Sequence, residues 1–139
     1  MKASVNANEP LVPIMPTRFD PGEAKPSIAS LNDDCRQGRS RPGTARIMMT
    51  QGVAALLFGR GDVGDESVGR IELMRTIATF GFSDGDASRE RDFGGFQFDG
   101  ADILFKIDYY DPRLEFGSED PSDDRVTTRV LTIMLAQEY

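Results

Sequence analysis

The chain has 139 residues, a net charge of −7, a single cysteine and neither histidine nor tryptophan. Without histidine there is no Ser-His-Asp or Cys-His catalytic arrangement and no imidazole ligand for a transition metal, and a lone Cys35 makes neither an internal disulfide nor a structural zinc site. No apolar run approaches the ~20 residues of a membrane-spanning helix, so the expectation is one soluble globular domain in the reducing cytoplasm.

Five of the eight prolines fall in residues 1–26. Proline removes backbone donors and biases its neighbours toward extended forms, which predicts an extended or flexible leader followed by a single domain over 27–139. Met1–Asn8 lacks the basic-then-apolar layout of a signal peptide. The apolar leader residues Leu11, Val12, Ile14 and Met15 suit docking on the domain or on a partner.

From Ser27 the pattern turns helical. Ser27 is a cap, Ile28, Leu31 and Cys35 recur on one face, and Gly38 stops the run. Arg39–Gly43 reads as a basic turn and Thr44–Thr50 as a short strand. Gly52–Phe58 is apolar without a clear period, and Gly59–Gly64 reads as a loop. Asp65 or Ser67 opens a second helix reaching Thr79. Its expected apolar stripe is Val68, Ile71, Met74, Ile77 and Ala78, with Arg70, Glu72, Arg75 and Thr79 outward.

Asp99-Gly100 predicts a two-residue type I′ turn joining strands Gly94–Phe98 and Ala101–Tyr110. That register pairs Phe98 with Ala101, Phe96 with Ile103 and Gly94 with Phe105. Phe96, Phe98, Ile103, Phe105, Ile107 and Tyr109 then share one face, while Gln97, Asp102, Lys106, Asp108 and Tyr110 line the other. Arg113–Phe116 is expected as an edge strand. Asp120 with Pro121 then reads as the start of a last helix ending near Glu138. The sum is an α+β fold: a small antiparallel sheet of three to four strands around a central hairpin, packed on one face by about three helices.

The motifs are weak. Gly59-Arg60-Gly61-Asp62-Val63-Gly64 matches a dinucleotide-binding spacing, but Asp62, Asp65 and Glu66 would repel a pyrophosphate. Asp84-Gly85-Asp86-Ala87-Ser88 begins like a calcium loop and then fails at its glycine and its bidentate glutamate, where Arg89 and Gly95 stand. Asp102 and Asp108 with Lys106 suggest a carboxylate-metal hydrolase or nuclease as an alternative reading. Arg36, Arg39, Arg41 and Arg46 form a modest basic cluster without interleaved aromatics, which reads as a solvated turn rather than a nucleic-acid site. No metal, cofactor or catalytic residue is assigned.

The acidity is local. Residues 84–124 carry thirteen carboxylates against four bases, a net charge of −9. Such a field keeps a domain soluble and also steers a basic partner. The residues expected at that contact are Asp108, Asp111, Glu115, Glu119, Asp120, Asp123 and Asp124, with Tyr110 as aromatic anchor.

Three segments carry a resemblance. Phe93-Gly94-Gly95-Phe96, Phe105-Lys106-Ile107-Asp108-Tyr109-Tyr110-Asp111, and Gly117-Ser118 followed by Val126-Thr127-Thr128-Arg129-Val130-Leu131-Thr132-Ile133-Met134-Leu135-Ala136-Gln137-Glu138-Tyr139 resemble a family of small bacterial proteins of unknown function, often found on plasmids and mobile elements. The similarity spans roughly residues 28–139. It implies no catalytic residues. It implies a mobile-element setting, where small acidic inhibitors of the anti-CRISPR or anti-restriction type occupy basic nucleic-acid-binding sites on host nuclease complexes. The leading expectation is therefore a non-enzymatic, acidic protein-binding module. A structural module that dimerises through the leader is a further alternative.

Overall fold

The computed structural model describes residues 26–59, 66–83 and 90–139. The leader, most of the Gly59–Gly64 loop and the calcium-like Asp84–Ser88 segment lie outside the described residues.

The elements run α1 (Ile28–Arg36), β1 (Ala45–Met49), α2 (Gln51–Phe58), α3 (Glu66–Ala78), β2 (Phe93–Phe98), β3 (Ala101–Tyr110), β4 (Thr128–Leu135) and a 3-10 turn, Ala136–Glu138. One four-stranded sheet has the order β1-β4-β3-β2. Its β2–β3 and β3–β4 pairs are antiparallel. The expected all-antiparallel sheet is instead mixed, because β1 runs parallel to β4.

The hairpin forms in the expected register, Phe98 with Ala101, Phe96 with Ile103 and Gly94 with Phe105. Asp99 and Gly100 both take positive φ, 53° and 80°, as a type I′ turn requires. Ile103, Phe105 and Ile107 on β3 and Leu131 and Ile133 on β4 point to one side. There they are buried against Cys35 of α1, Val53 and Leu57 of α2, and Leu73 and Ile77 of α3. The helices therefore cover one face of an α+β sheet.

The last helix is the main correction. Residues 128–135 form β4, the strand between β1 and β3, and six of its eight residues are buried. A strand whose residues are buried on both faces loses the alternation that marks strands in a sequence, and its largely apolar run imitates a buried helix. The β-branched density of Val126-Thr127-Thr128, Val130 and Thr132-Ile133 is the local signal for extended backbone. Asp120 caps no helix: its side chain accepts from Ser122 N and Ser122 Oγ within a turn.

Three smaller differences follow the same logic. Gly52–Phe58 is helix α2, opened by Thr50, whose hydroxyl accepts from Val53 N. Arg113–Phe116 is a turn, with only an isolated bridge between Tyr110 and Gly117. In α3 Ile77 is buried as expected and Leu73 joins it four residues before, while Val68 and Ile71, expected on the same stripe, are 42% and 58% exposed. Arg70, Glu72, Arg75 and Thr79 face outward as expected.

The C-terminal turn closes the domain onto α2. Glu138 accepts from Thr50 Oγ1 at 2.6 Å, Leu135 N at 2.8 Å and Gly52 N at 3.1 Å. A Cβ on Gly52 would stand 2.6 Å from Leu135 Cδ1 and 2.7 Å from Glu138 Oε2, so only glycine admits the carboxylate here. These donors, Thr50 foremost, hold the Glu138 pKa below the ordinary glutamate value. A depressed native pKa gives stabilisation that is complete above the unfolded value and lost as pH falls through the native one. Glu138→Gln should therefore melt below wild type at pH 7, and the gap should close on acidification below about pH 4. A gap of constant size across that range would show that the carboxylate charge contributes nothing.

Candidate functional site

The loop from Asp111 to Thr127 joins β3 to β4 and contains six of the eight residues expected at a partner contact. Its first half is a tight turn. Asp111 Oδ1 accepts from Arg113 N at 3.1 Å and Glu115 N at 3.0 Å, and Asp111 N donates to Phe116 O at 2.7 Å. Leu114, at the apex, is held at φ +62°. That region is rare for a bulky side chain, costs on the order of 1 kcal/mol, and persists only where surrounding bonds impose it. Ser118 N donates to Tyr109 O at 3.1 Å and returns the loop to the sheet.

The second half is built by side chains. Asp120 N donates to Ser118 Oγ at 3.1 Å, and Thr127 Oγ1 donates to Asp120 O at 2.9 Å. Asp123 makes a two-pronged pair with Arg125, both contacts at 3.0 Å. Asp124 reaches Arg41 in the α1–β1 turn at 3.3 and 3.4 Å. On the open sheet face, Asp108 pairs with Lys106 at 3.0 Å and raises the lysine pKa.

The expected site residues thus divide. Asp108, Asp123 and Asp124 are neutralised by neighbouring bases. Asp111 and Asp120 are spent on turn geometry. Glu115 and Glu119 are exposed and, among the described residues, have no side-chain partner. Tyr110 is exposed at the strand end beside them. Between the two glutamates stands Phe116, 71% exposed and in a turn rather than the edge strand expected over Arg113–Phe116. The available signal was the Asp111-Pro112 start of a turn, which makes alternation a poor guide to where Phe116 points.

A buried polar cluster holds this loop to the body. Asn32 of α1 is fully buried. Its amide donates to Tyr109 OH at 2.8 Å and to Glu90 O at 3.0 Å, and its oxygen accepts from Arg129 Nε at 2.7 Å. Arg129 lies over the Tyr109 ring at 5.1 Å and donates through Nη2 to Pro121 O, a carbonyl of the loop itself. Tyr109 OH donates to Glu90 Oε1 at 2.8 Å. Burial, followed by the contact with Glu90, pushes the Tyr109 pKa up, and burial lowers that of Arg129. The sequence reading missed this cluster. Polar residues on otherwise apolar faces carry no periodic signal.

The hydrolase alternative fails on distance. Asp102 and Asp108 share a sheet face but are six residues apart on β3, about 20 Å at 3.3 Å per residue, where a shared metal needs ligands on one ion. Asp102 instead accepts from Gln97 Nε2 at 3.1 Å. Among the described residues no group of three or more Cys, Asp or Glu is placed to hold a metal ion. In the same residues no helix is long and apolar enough to cross a membrane. The basic cluster also divides, since Arg36 is buried while Arg39, Arg41 and Arg46 are exposed.

A family model described as "Protein of unknown function (DUF3768)" matches residues 49–138, a span that begins later than the resemblance in the sequence suggested. It takes in α2, α3 and the β2–β4 sheet with the Asp111–Thr127 loop, and leaves out α1, which supplies Asn32. No curated protein and no solved structure matches the chain.

Proposed function

The chain belongs to the DUF3768 family, and we propose that it is a non-enzymatic protein-binding module that presents the 111–120 loop to a basic protein surface. One observation carries the reading: an exposed aromatic, Phe116, is flanked by two carboxylates, Glu115 and Glu119, that have no side-chain partner among the described residues, on a loop whose remaining acids fix its shape. Aromatic side chains supply contact area at low entropic cost and dominate interface energetics. Exposed charges beside them set register and speed encounter. A loop already fixed by its own bonds loses little freedom on docking.

The partner that fits is a surface of arginines and lysines that otherwise holds nucleic acid, because carboxylates on a rigid loop can take the place of phosphates. On this reading the module is an inhibitor of the anti-restriction or anti-CRISPR type, acting on a nuclease complex in the cytoplasm. No cofactor enters the reaction, because no reaction is catalysed.

The test is capture from a bacterial lysate on the immobilised chain, in parallel with Glu115→Lys/Glu119→Lys and with Phe116→Ser. Captured protein should elute as salt rises and the screening length falls from ~10 Å at 0.1 M to ~3 Å at 1 M. Added duplex DNA should compete for it. The double charge reversal should reduce capture at least about ten-fold. Equal capture by wild type and both variants would sink the proposal.

A further inference from the structure

A second site lies where the C-terminal ends of α1 and α3 meet. A shallow cleft of about 460 Å³ opens there, lined by Asp33, Arg36, Gln37, Phe80, Phe82 and Arg91 among others. Volumes of this order are usual for small-ligand sites.

The charge inside the cleft is opposite to that of the molecule. Arg91 grips Asp33 with two bonds, Nε to Oδ1 at 3.0 Å and Nη2 to Oδ2 at 2.6 Å. Arg36 pairs with the same carboxylate and donates through Nη1 to Ile77 O at 3.0 Å. Two guanidiniums on one carboxylate leave a net +1 in a chain of net charge −7. Asp33 is held ionised, its pKa lowered chiefly by the Arg91 bond, and the surplus of one positive charge stands with the carboxylate fully counted.

The donors are also incompletely used. Arg36 is 96% buried by its 4% exposure, and among the described residues its Nε is a buried donor with no partner. Such a group costs roughly 1–3 kcal/mol, and native structures rarely leave one without a reason. Among the described residues Arg91 Nη1 has no partner either. Arg91 is, moreover, held at φ +58°, a left-handed backbone that carries a cost in strain. The wall beside these donors is aromatic. Phe82 lies 5.0 Å beneath the Arg36 guanidinium and packs edge-on against Phe80, their ring centres 4.8 Å apart.

We propose that this cleft binds a small ligand with an oxyanion joined to a flat aromatic body, an aryl phosphate or aryl carboxylate. Arg91, whose side chain is 38% exposed, takes the oxyanion, the buried Arg36 guanidinium adds positive charge behind it, and Phe80 and Phe82 take the ring. A guanidinium fork matches the geometry of either oxyanion. The site is remote in function from the 111–120 loop and does not depend on the reading given to that loop.

The experiment is a chemical-shift titration of the full chain with phenyl phosphate, alongside benzoate, inorganic phosphate and phenol, each to about 10 mM. Phenyl phosphate or benzoate should saturate with shifts at residues 36–37, 78–82 and 91, and whichever binds tighter names the oxyanion. Inorganic phosphate and phenol should each bind at least about ten-fold more weakly, since each keeps half of the recognition. Arg91→Gln should weaken the aryl anion about ten-fold. Because that change also frees Asp33, Gln37→Glu serves as a second variant: it is exposed, leaves the network intact, and places a repelling charge at the cleft. No saturable shift with either aryl anion would overturn the proposal, as would equal affinity for inorganic phosphate or unchanged affinity in Gln37→Glu.

Discussion

Replacing Phe105 with alanine is expected to lower the unfolding free energy by about 3–5 kcal/mol. Phe105 is fully buried at the middle of β3, paired with Ile133 on one side and Gly94 on the other. Its ring meets Phe80 edge-on at 5.3 Å and Phe82 at 6.3 Å, so truncation removes both the ring's own burial and two aromatic contacts. Collapse cannot close the gap cheaply, because β2 is already as near as it can be. A Cβ on Gly94 would stand 2.6 Å from Phe105 Cε2 and 2.9 Å from Phe80 Cε2. A domain of this size has about 5–15 kcal/mol to lose, and so the variant should sit near its unfolding threshold. Urea titration checks this: the midpoint should fall sharply with the slope unchanged, and Phe105→Leu should retain most of the wild-type midpoint. A loss under about 1 kcal/mol for alanine would mean that the sheet–helix interface is not the centre of the core.

The hairpin was legible because two independent signals agreed. Asp99-Gly100 set the turn, and alternation set the faces. The strand β1 and helices α1 and α3 were legible from caps and periodic runs, and within α3 Ile77 is buried as expected, although Leu73 was masked by equally apolar exposed neighbours, Val68 and Ile71. What the sequence could not show was the place of β4. Its neighbour β1 is some eighty residues away in the chain, and only that pairing covers its second edge. Once Leu131 and Ile133 face the helices while Val130 and Met134 are buried on the opposite side, the pattern is apolar at nearly every step. Periodicity then carries no information about the element. The candidate site was half legible for a similar reason. Composition located the acids, but which of them were spent on turns or on Arg41, Lys106 and Arg125 depends on contacts up to 83 residues apart.

Asn32→Ala is expected to destabilise the domain by about 3 kcal/mol, through what it leaves behind rather than through what it removes. The amide of Asn32 is the meeting point of three elements: it accepts from Arg129 on β4 and donates to Tyr109 on β3 and to the Glu90 carbonyl. Truncation strands Arg129 Nε in the interior with no replacement, and a charged donor without a partner is the costliest kind of buried group. Aspartate would not rescue it. It supplies the acceptor for Arg129 but has no N–H to give to Glu90 O or Tyr109 OH, so restoration of one bond leaves two carbonyl or hydroxyl partners facing a carboxylate. The logic is tested by a double-mutant cycle with Arg129→Met. With the guanidinium gone, removing the amide should cost at least 1 kcal/mol less than it does in wild type. The same cycle reaches the functional loop, since Arg129 Nη2 is what holds Pro121 O. Amide exchange over residues 118–124 should therefore quicken in Asn32→Ala before the sheet itself opens. If exchange there stays at the wild-type rate while stability falls, the cluster supports the core alone and the loop keeps its shape by the bonds of Asp111, Ser118 and Asp120.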